Sequence, residues 1–219
     1  MKRTMTIMAV SLFLCCSVGF SADLAPIQLP KPQTTGGKPL MDVLAQRHST
    51  RQFSTEKLPA QVLSNLLWAA FGVNRPNAGV GPSRTAPSAR NWQEIDIYVA
   101  TAEGLYLFDA KAHLLKPVRS GDIRALAGAP SQKFVADAPV NLIYVADLAR
   151  MQGAADADKQ TYPFADAALI AENVYLFCAS EGLGVVVRGM MDRPALAKAM
   201  TLRSDQKIIL EQPVGYPKK

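Results

Sequence analysis

Arg47-His48-Ser49-Thr50-Arg51-Gln52-Phe53 is the stretch that says most about this chain. It holds two guanidinium groups four residues apart, with a hydroxyl between them. Arginine donates in a planar fork that matches phosphate, and serine adds a short neutral donor. The stretch therefore predicts an anion receptor. The alternative is a solvated turn that carries ordinary surface charges.

The composition is that of one folded domain. Of the 219 residues, 49% are hydrophobic, which is enough for a sizeable core. The formal net charge of +6 includes Lys2 and Arg3, and the other basic residues are scattered rather than arranged in a stripe with interleaved aromatic residues. We therefore expect no nucleic-acid partner, and we interpret the charge as solubility together with one anion site.

The N-terminal segment has the pattern of an export signal. Lys2 and Arg3 precede an apolar run over residues 5–20, which is short for a membrane span and suits the core of a signal peptide. Small residues at positions 19 and 21 predict cleavage near Ser21-Ala22, so that residues 1–21 form a signal peptide. We expect an exported, periplasmic protein without stable membrane association after cleavage. A retained membrane anchor is the alternative.

Cysteine usage fits this interpretation. Cys15 and Cys16 lie inside the predicted signal peptide, and Leu14 stands before Cys15 where a lipoprotein signal has a small residue. The mature chain would keep only Cys178, so no internal disulfide is expected. Because Cys178 ends an apolar run, we predict that it belongs to the core.

Residues 22–39 are rich in proline, glycine and threonine, and they predict a flexible, extended arm in front of a domain at 40–219. Helix and strand patterns alternate irregularly in this domain, which predicts an α+β fold rather than a doubly wound one. The predicted helices are 40–46, 59–71, 122–127, 164–180 and 194–200. The predicted strands are 95–99, a hairpin of 104–109 with 112–117, 140–146, 185–187 and 206–214. Segments 74–91 and 147–161 are predicted as a loop and a mobile connection.

The usual catalytic patterns are absent from the sequence. His48 and His113 are the only histidines, neither has metal-ligand spacing, and His113 is predicted to lie at the surface of the hairpin. The chain has no nucleophile elbow, P-loop or dinucleotide fingerprint, and Gly182-x-Gly184 is interpreted as a helix stop. An anion receptor and a large apolar interior without an acid–base pair point to a bound cofactor that carries the chemistry itself. We therefore predict no metal and no catalytic side chain.

The 47–53 stretch resembles the N-terminal signature of the flavin-dependent nitroreductase family, in which Arg-x-Ser-x-Arg/Lys opens the FMN site. The likeness continues through further segments and covers about residues 40–217. Segments 104–109 and 121–124 are most similar to the SagB-type dehydrogenase branch. The other supporting segments are 86–91, 165–168, Asn173, 181–184 and 213–217.

The resemblance implies a nitroreductase-like α+β fold with a central, mostly antiparallel sheet flanked by helices. It also implies a homodimer with FMN in each of two sites at the subunit interface. Arg47, Ser49 and Arg51 would hold the phosphate and the ribityl chain, with His48 beside them through its backbone. Family members often add another basic residue beyond the Gly-Tyr-Pro segment, where this chain ends with Lys218-Lys219.

At the other end of the cofactor, Asn91 would contact the pyrimidine edge of the flavin, with Ser88 nearby. The stretch Val187-Arg188-Gly189-Met190 matches the place where backbone amides approach the flavin N5, so Arg188, Gly189 and Met190 are predicted cofactor contacts. An amide there stabilises negative charge without a side chain. Many relatives carry Glu-Gly at this place, whereas this sequence has Gly189-Met190.

The likeness implies an FMN-dependent oxidoreductase that moves two electrons to or from a small aromatic, quinone or heterocyclic substrate. NAD(P)H is the candidate donor, although nicotinamide cofactors are cytoplasmic and export would leave the donor open. One alternative is an exported flavin-binding or scaffold protein with little or no turnover. Another is a degenerate member without flavin. Segments 74–84 and 147–163 would build the substrate pocket, and they do not identify the substrate.

Overall fold

The computed structural model describes residues 24–77 and 83–218, so the predicted signal peptide lies outside the described residues. Within these two ranges, no helix is both long enough and apolar enough to cross a bilayer. The strands are β1 (Ile27–Gln28), β2 (Val73–Arg75), β3 (Ser83–Arg84), β4 (Ile95–Ala100), β5 (Gly104–Asp109), β6 (Leu114–Ser120), β7 (Val140–Asp147), β8 (Gly184–Val185) and β9 (Gln206–Gly215). The helices are α1 (Leu40–Gln46), α2 (Ala60–Phe71), α3 (Phe134–Asp137), α4 (Asp156–Glu181) and α5 (Arg193–Ala199).

Seven of the described strands form one sheet in the order β1-β6-β5-β4-β7-β9-β8, and β2 pairs with β3. All the strand pairings in the sheet are antiparallel. Helices α2 and α4 cover one face, and α5 covers the other. The predicted α+β fold with a mostly antiparallel central sheet flanked by helices is therefore confirmed.

Strand β7 shows why the sheet is buried on both faces. All of its residues are buried. Since alternate side chains of a strand point to opposite faces of the sheet, both faces must be covered. Leu142 and Tyr144 join the core under α2 and α4. Ile143 and Val145 join a second core with Leu196 of α5. A strand that is apolar throughout therefore needs a helical layer on each side, and this chain supplies both.

Several elements lie where the sequence predicts them. Helix α1 has the predicted bounds, α2 begins directly after Pro59, and β4, β7 and β9 each match a predicted strand within one residue at either end. Gly182 ends α4 with a φ of 72°, a left-handed conformation that suits glycine. Cys178 is fully buried in the core, as predicted.

The prediction of a mobile connection over residues 147–161 is wrong. This segment contains a 3-10 turn at Leu148–Arg150 and the first residues of α4, which begins at Asp156 instead of residue 164. Acidic residues in the first turn favour a helix start, and Pro163 is tolerated inside the helix. The helix is not buried all round, since Phe164 is 49% exposed and Leu169 45%.

The segment predicted as a loop over residues 74–91 contains the short β2–β3 pair and a 3-10 turn at Ala89–Asn91. Residues 24–39 are extended, but they are packed against the domain instead of being flexible. Strand β1 pairs with β6, and Leu29 is buried.

His113 explains part of this packing, and it is not a simple surface residue as predicted. The Nε2 atom of His113 lies 2.7 Å from Oγ of Ser64, whose hydroxyl donates to the carbonyl of Pro30 at 2.6 Å. The backbone carbonyl of His113 accepts from the amide of Leu29. These contacts attach the N-terminal arm to α2 and to the β5–β6 turn, and partners so far apart in the sequence leave no local pattern.

Candidate functional site

The predicted anion receptor lies at the β8 edge of the sheet, where it follows α1. The amide of Thr50 donates to the carbonyl of Val185 at 2.8 Å, which attaches the segment 47–53 to β8. A Cβ on Gly184 would lie 2.8 Å from Thr50 Cγ2, so the close approach requires glycine. The function of Gly184 is therefore to let this segment pack directly on the strand.

Tyr175 of α4 joins the two predicted ends of the cofactor site. Its hydroxyl lies 2.9 Å from Oγ of Ser49 and accepts from the amide of Val187 at 2.9 Å. The guanidinium of Arg47 lies over the Tyr175 ring, 5.3 Å from its centroid. The structure thus brings together the 47–51 segment and the 187–190 segment. Sequence analysis missed Tyr175, because a tyrosine within an apolar helical run gives no signal of its own.

Three cations near this point have no carboxylate partner within residues 24–77 and 83–218. Arg51 is exposed, and the guanidinium of Arg47 lies over the Tyr175 ring without an ion pair in the described structure. The amide of Lys218 donates to the carbonyl of Gln52 at 3.1 Å, which places the C-terminal basic residue beside the segment. The exposed His48 donates from Nδ1 to the carbonyl of Gln46 at 2.7 Å. This group of positive charges suits an anionic ligand.

Tyr175 also lines a cavity of about 380 Å³. Gly189 is exposed at its wall, and its amide has no hydrogen-bond partner among the residues that the structure describes. A Cβ on Gly189 would meet its nearest atoms at 3.7 and 3.9 Å, which is ordinary contact, so the fold itself does not require glycine there. The lining is Ala168, Ala171, Glu172, Tyr175, Val187, Arg188, Gly189 and Leu210.

The side chain of Arg188 does not fit the predicted flavin contact. Its guanidinium is buried and pairs with Glu211 at 2.6 Å, and it also donates to Gln132 and to the carbonyls of Ala127 and Met190 at 3.0 and 2.7 Å. Its amide donates to the carbonyl of Glu211. Burial raises the pKa of Glu211, and the neighbouring guanidinium opposes that shift. Arg188 therefore has a structural role, because its guanidinium points into the protein and pairs there with the buried Glu211.

Ser88 and Asn91 lie in a separate loop that is attached to an earlier part of α4. The amide of Ala89 donates to Oδ2 of Asp166 at 2.8 Å. Asp166 precedes Tyr175 by nine residues, which is about 13 Å of helix rise. Asn91 is exposed with a φ of 55°, and its side-chain oxygen accepts from Gln93. One protomer therefore presents its predicted site residues in two groups along α4.

A buried carboxyl group supports this loop, and sequence analysis missed it. The hydroxyl of Ser88 accepts from the amide of Gln93 at 2.8 Å and donates to Oε2 of Glu94 at 3.3 Å. The pKa of Glu94 is raised to about 7, mainly by burial and also by the nearby Asp166, while hydrogen bonds to the backbone and Ser88 oppose the shift. Glu94 and Asp166 thus form an acidic pair under the loop.

The fold and the sequence together define a class of protein. The chain matches the sequence profile of the Nitroreductase family over residues 44–216, and it belongs to this family of oxidoreductases. The resemblance seen in the sequence is confirmed at the level of the family.

Known relatives agree with this assignment. A nitroreductase-family protein of Methanocaldococcus jannaschii is 29% identical over 202 residues, which cover 88% of this chain and 97% of the relative. The crystal structure of a Ralstonia eutropha JMP134 protein of the same family is 45% identical, with a TM-score of 0.83 over 89% of this chain and 90% of that one. A chain of the Escherichia coli microcin synthetase McbBCD complex has a TM-score of 0.69 at 16% identity, over 97% of this chain and 85% of that one, and shows the fold alone.

Proposed function

We propose that this chain is an FMN-dependent oxidoreductase that transfers two electrons to or from a small aromatic, quinone or heterocyclic substrate. The observation that carries the proposal is the junction at Tyr175. There, Arg47 lies over the ring without a carboxylate partner in the described structure, and the same tyrosine lines an apolar cavity with an open glycine amide. A ligand with an anionic end and a planar apolar end suits this arrangement.

The residues fit FMN by their chemistry. Arg47 and Arg51 offer charge-assisted donors to a phosphate, and Ser49 adds a hydroxyl. Lys218 supplies the basic residue that the family often has beyond the Gly-Tyr-Pro segment. The cavity beside Gly189 lies at the small end of the range for ligand pockets, which suits part of a ring that a second protein surface would complete.

FMN supplies the two-electron chemistry when it is bound, and the protein has to hold and orient it. The amide of Gly189 would stabilise negative charge that develops on a ring in the cavity, since a fixed backbone donor needs no reorganisation. The partly buried Val187 and Leu210 give the cavity an apolar wall that would limit access of water to a bound ring. No catalytic side chain is required for these roles.

We further propose that the site is shared between two copies of the chain. Large apolar side chains are exposed on two neighbouring helices, and such patches mark interaction surfaces. In a homodimer, the Ser88–Asn91 loop of one protomer could complete the site that the 47–51 segment of its partner begins. The exposed residues are Leu40, Met41 and Leu44 on α1, Phe164 and Leu169 on α4, and Met190 beside the cavity.

The electron donor and the location of the protein form part of the proposal. NAD(P)H is the candidate donor, and membership of the SagB-type branch would instead favour oxidation of a substrate by the flavin. Export to the periplasm through residues 1–21 would call for a donor other than a nicotinamide. Cell fractionation with an antibody to the domain would test the export proposal, and it would be contradicted by full-length protein in the cytoplasmic fraction.

The test of the proposed function is an absorbance spectrum of the purified protein, followed by anaerobic titration with NADPH and NADH. Stoichiometric flavin that bleaches on titration would support a nicotinamide-driven reductase. Flavin that persists would favour the dehydrogenase direction or a binding protein with little turnover. Absence of flavin after addition of FMN would refute the proposal.

The variant Arg47→Ala should lose most of its FMN, because the phosphate loses a donor worth about 1.5–3 kcal/mol. Arg119→Ala is the matched control. Arg119 is an exposed arginine on β6, five strand spacings or about 24 Å from β8, and its loss should leave flavin content unchanged. Equal flavin content in both variants would remove Arg47 from the site.

A further inference from the structure

We propose that Tyr175 is a positioning residue that orients the hydroxyl of Ser49 as a hydrogen-bond donor toward the phosphate end of the bound cofactor. This inference rests on the proposed function, because it concerns the same site. It adds a buried residue of α4 that would not contact the phosphate itself. It also gives a direction to a hydrogen bond whose donor the distances alone leave open.

The direction follows from the partners of the Tyr175 hydroxyl. The amide of Val187 can only donate, so the oxygen of Tyr175 accepts from it at 2.9 Å. Two arrangements then remain for the 2.9 Å contact with Ser49. In the first, Tyr175 donates its proton to Oγ of Ser49. In the second, Ser49 donates to Tyr175, and the tyrosine proton has no acceptor among the residues that the structure describes.

The first arrangement is favoured because Tyr175 is buried. A buried donor without an acceptor costs about 1–3 kcal/mol, whereas the first arrangement satisfies the amide, the tyrosine and one lone pair of Ser49 together. The proton of Ser49 is then free to point outward, and Ser49 is exposed. Tyr175 thus leaves the proton of Ser49 available to an anion.

The ring of Tyr175 also orients a donor of the site. The guanidinium of Arg47 lies over its face at 5.3 Å, and the negative face of an aromatic ring holds a cation in place. The hydroxyl and the face of one side chain therefore orient the two donors that are predicted to meet the phosphate. The bond from Val187 also links this end of the site to the strand that leads to Gly189.

The experiment compares Tyr175→Phe with the wild-type full chain, using FMN and riboflavin as probes. Phenylalanine keeps the ring under Arg47 and removes only the hydroxyl. We expect the dissociation constant of FMN to rise roughly tenfold, the effect of one lost charge-assisted donor. Riboflavin lacks the phosphate, so its dissociation constant should change less than about threefold.

Tyr144→Phe is the matched control. Tyr144 is also a buried tyrosine, and its hydroxyl donates to Gln212 in the core instead of contacting the site. Its loss should lower stability without changing the ratio of FMN to riboflavin affinity. A second check is the double variant with Ser49→Ala. If Tyr175 acts through Ser49, then Tyr175→Phe should weaken FMN binding by less than about twofold in that background.

The outcomes separate this inference from the proposed function. A selective loss of FMN affinity that is absent from Tyr144→Phe and from the Ser49→Ala background supports the inference. Wild-type protein that binds FMN, together with a Tyr175→Phe variant that keeps its affinity or loses FMN and riboflavin equally, overturns the inference and leaves the proposed function standing. Wild-type protein that binds no FMN overturns both.

Discussion

Replacement of Arg188 by methionine removes the guanidinium from a buried ion pair and keeps most of the side-chain volume. The side chain of Arg188 is 4% exposed and that of Glu211 is fully buried, with 2.6 Å between their charged atoms. The other oxygen of Glu211 has no hydrogen-bond partner among the described residues. The guanidinium is therefore the main compensation for a carboxyl group inside the protein.

The expected cost follows from these contacts. Removal of one partner of a buried pair costs about 3–5 kcal/mol, because the other charge stays buried without compensation. The carbonyls of Ala127 and Met190 also lose their donor, but such terms do not add fully within one network. We expect Arg188→Met to lower the free energy of unfolding by about 4 kcal/mol, which is a large part of the 5–15 kcal/mol typical of native proteins.

Urea unfolding at pH 7, followed by circular dichroism, measures this difference. The control is Arg203→Met, since Arg203 pairs with Asp147 at 2.8 Å but is 55% exposed, and exposed ion pairs contribute little to stability. Arg188→Met combined with Glu211→Leu should recover part of the loss, because no charge is then left buried. Equal free energies of unfolding for Arg188→Met and Arg203→Met would refute the structural role of Arg188.

Three further predictions test other parts of the structure. The folded state raises the pKa of Glu94 to about 7, so it retains a proton that the unfolded chain releases above its ordinary value of 4.5. The contribution of Glu94 to stability is thus complete below pH 4.5 and is lost as the pH rises through 7, by up to about 3 kcal/mol. Glu94→Gln should abolish this part of the pH dependence in urea unfolding, and an unchanged profile would contradict the assignment. The free energy of unfolding of Gly189→Ala should lie within about 0.5 kcal/mol of the wild-type value. The variant should nevertheless bind FMN roughly tenfold more weakly, because the added methyl group crowds the ring. Unchanged FMN affinity in a fluorescence titration would exclude a ring at this cavity. Burial raises the pKa of the Cys178 thiol, so a thiol reagent should label it only after unfolding, and rapid labelling of the native protein would show that the core is open.

Much of the fold could be predicted because the apolar residues of many elements recur at the spacing of one type of secondary structure. Helix α2 has one apolar face, and β7 is an uninterrupted apolar run, so each pattern allows one structure. The first part of α4 could not be predicted in this way. Polar residues over 156–162 and Pro163 suggest a break, but packing of the rest of the helix on α2 and β9 extends it. The docking of residues 24–39 depends on Ser64 and His113, which are distant in the sequence.

The site was predictable where residue types alone determine the chemistry. Two arginines and a serine in one short segment indicate an anion receptor in any fold. Tyr175 could not be found in this way, because its partner Ser49 is 126 residues away. The pairing of Arg188 could not be predicted either: the family resemblance places its backbone near the flavin, but the partner of its side chain, Glu211 on β9, lies 23 residues further along the chain.

The difference between these arginines is what identifies the site. Arg188 has a carboxylate partner that the fold supplies, so its charge is neutralised inside the protein. Arg47 and Arg51 have no carboxylate partner in the described structure, and Lys218 adds a third positive charge to the same edge of the sheet. Like charges in one region of a protein surface repel one another, and an anion that binds there lowers the repulsion. A phosphate group would relieve this repulsion, so the feature of the fold that costs stability without a ligand is the feature that would bind the cofactor.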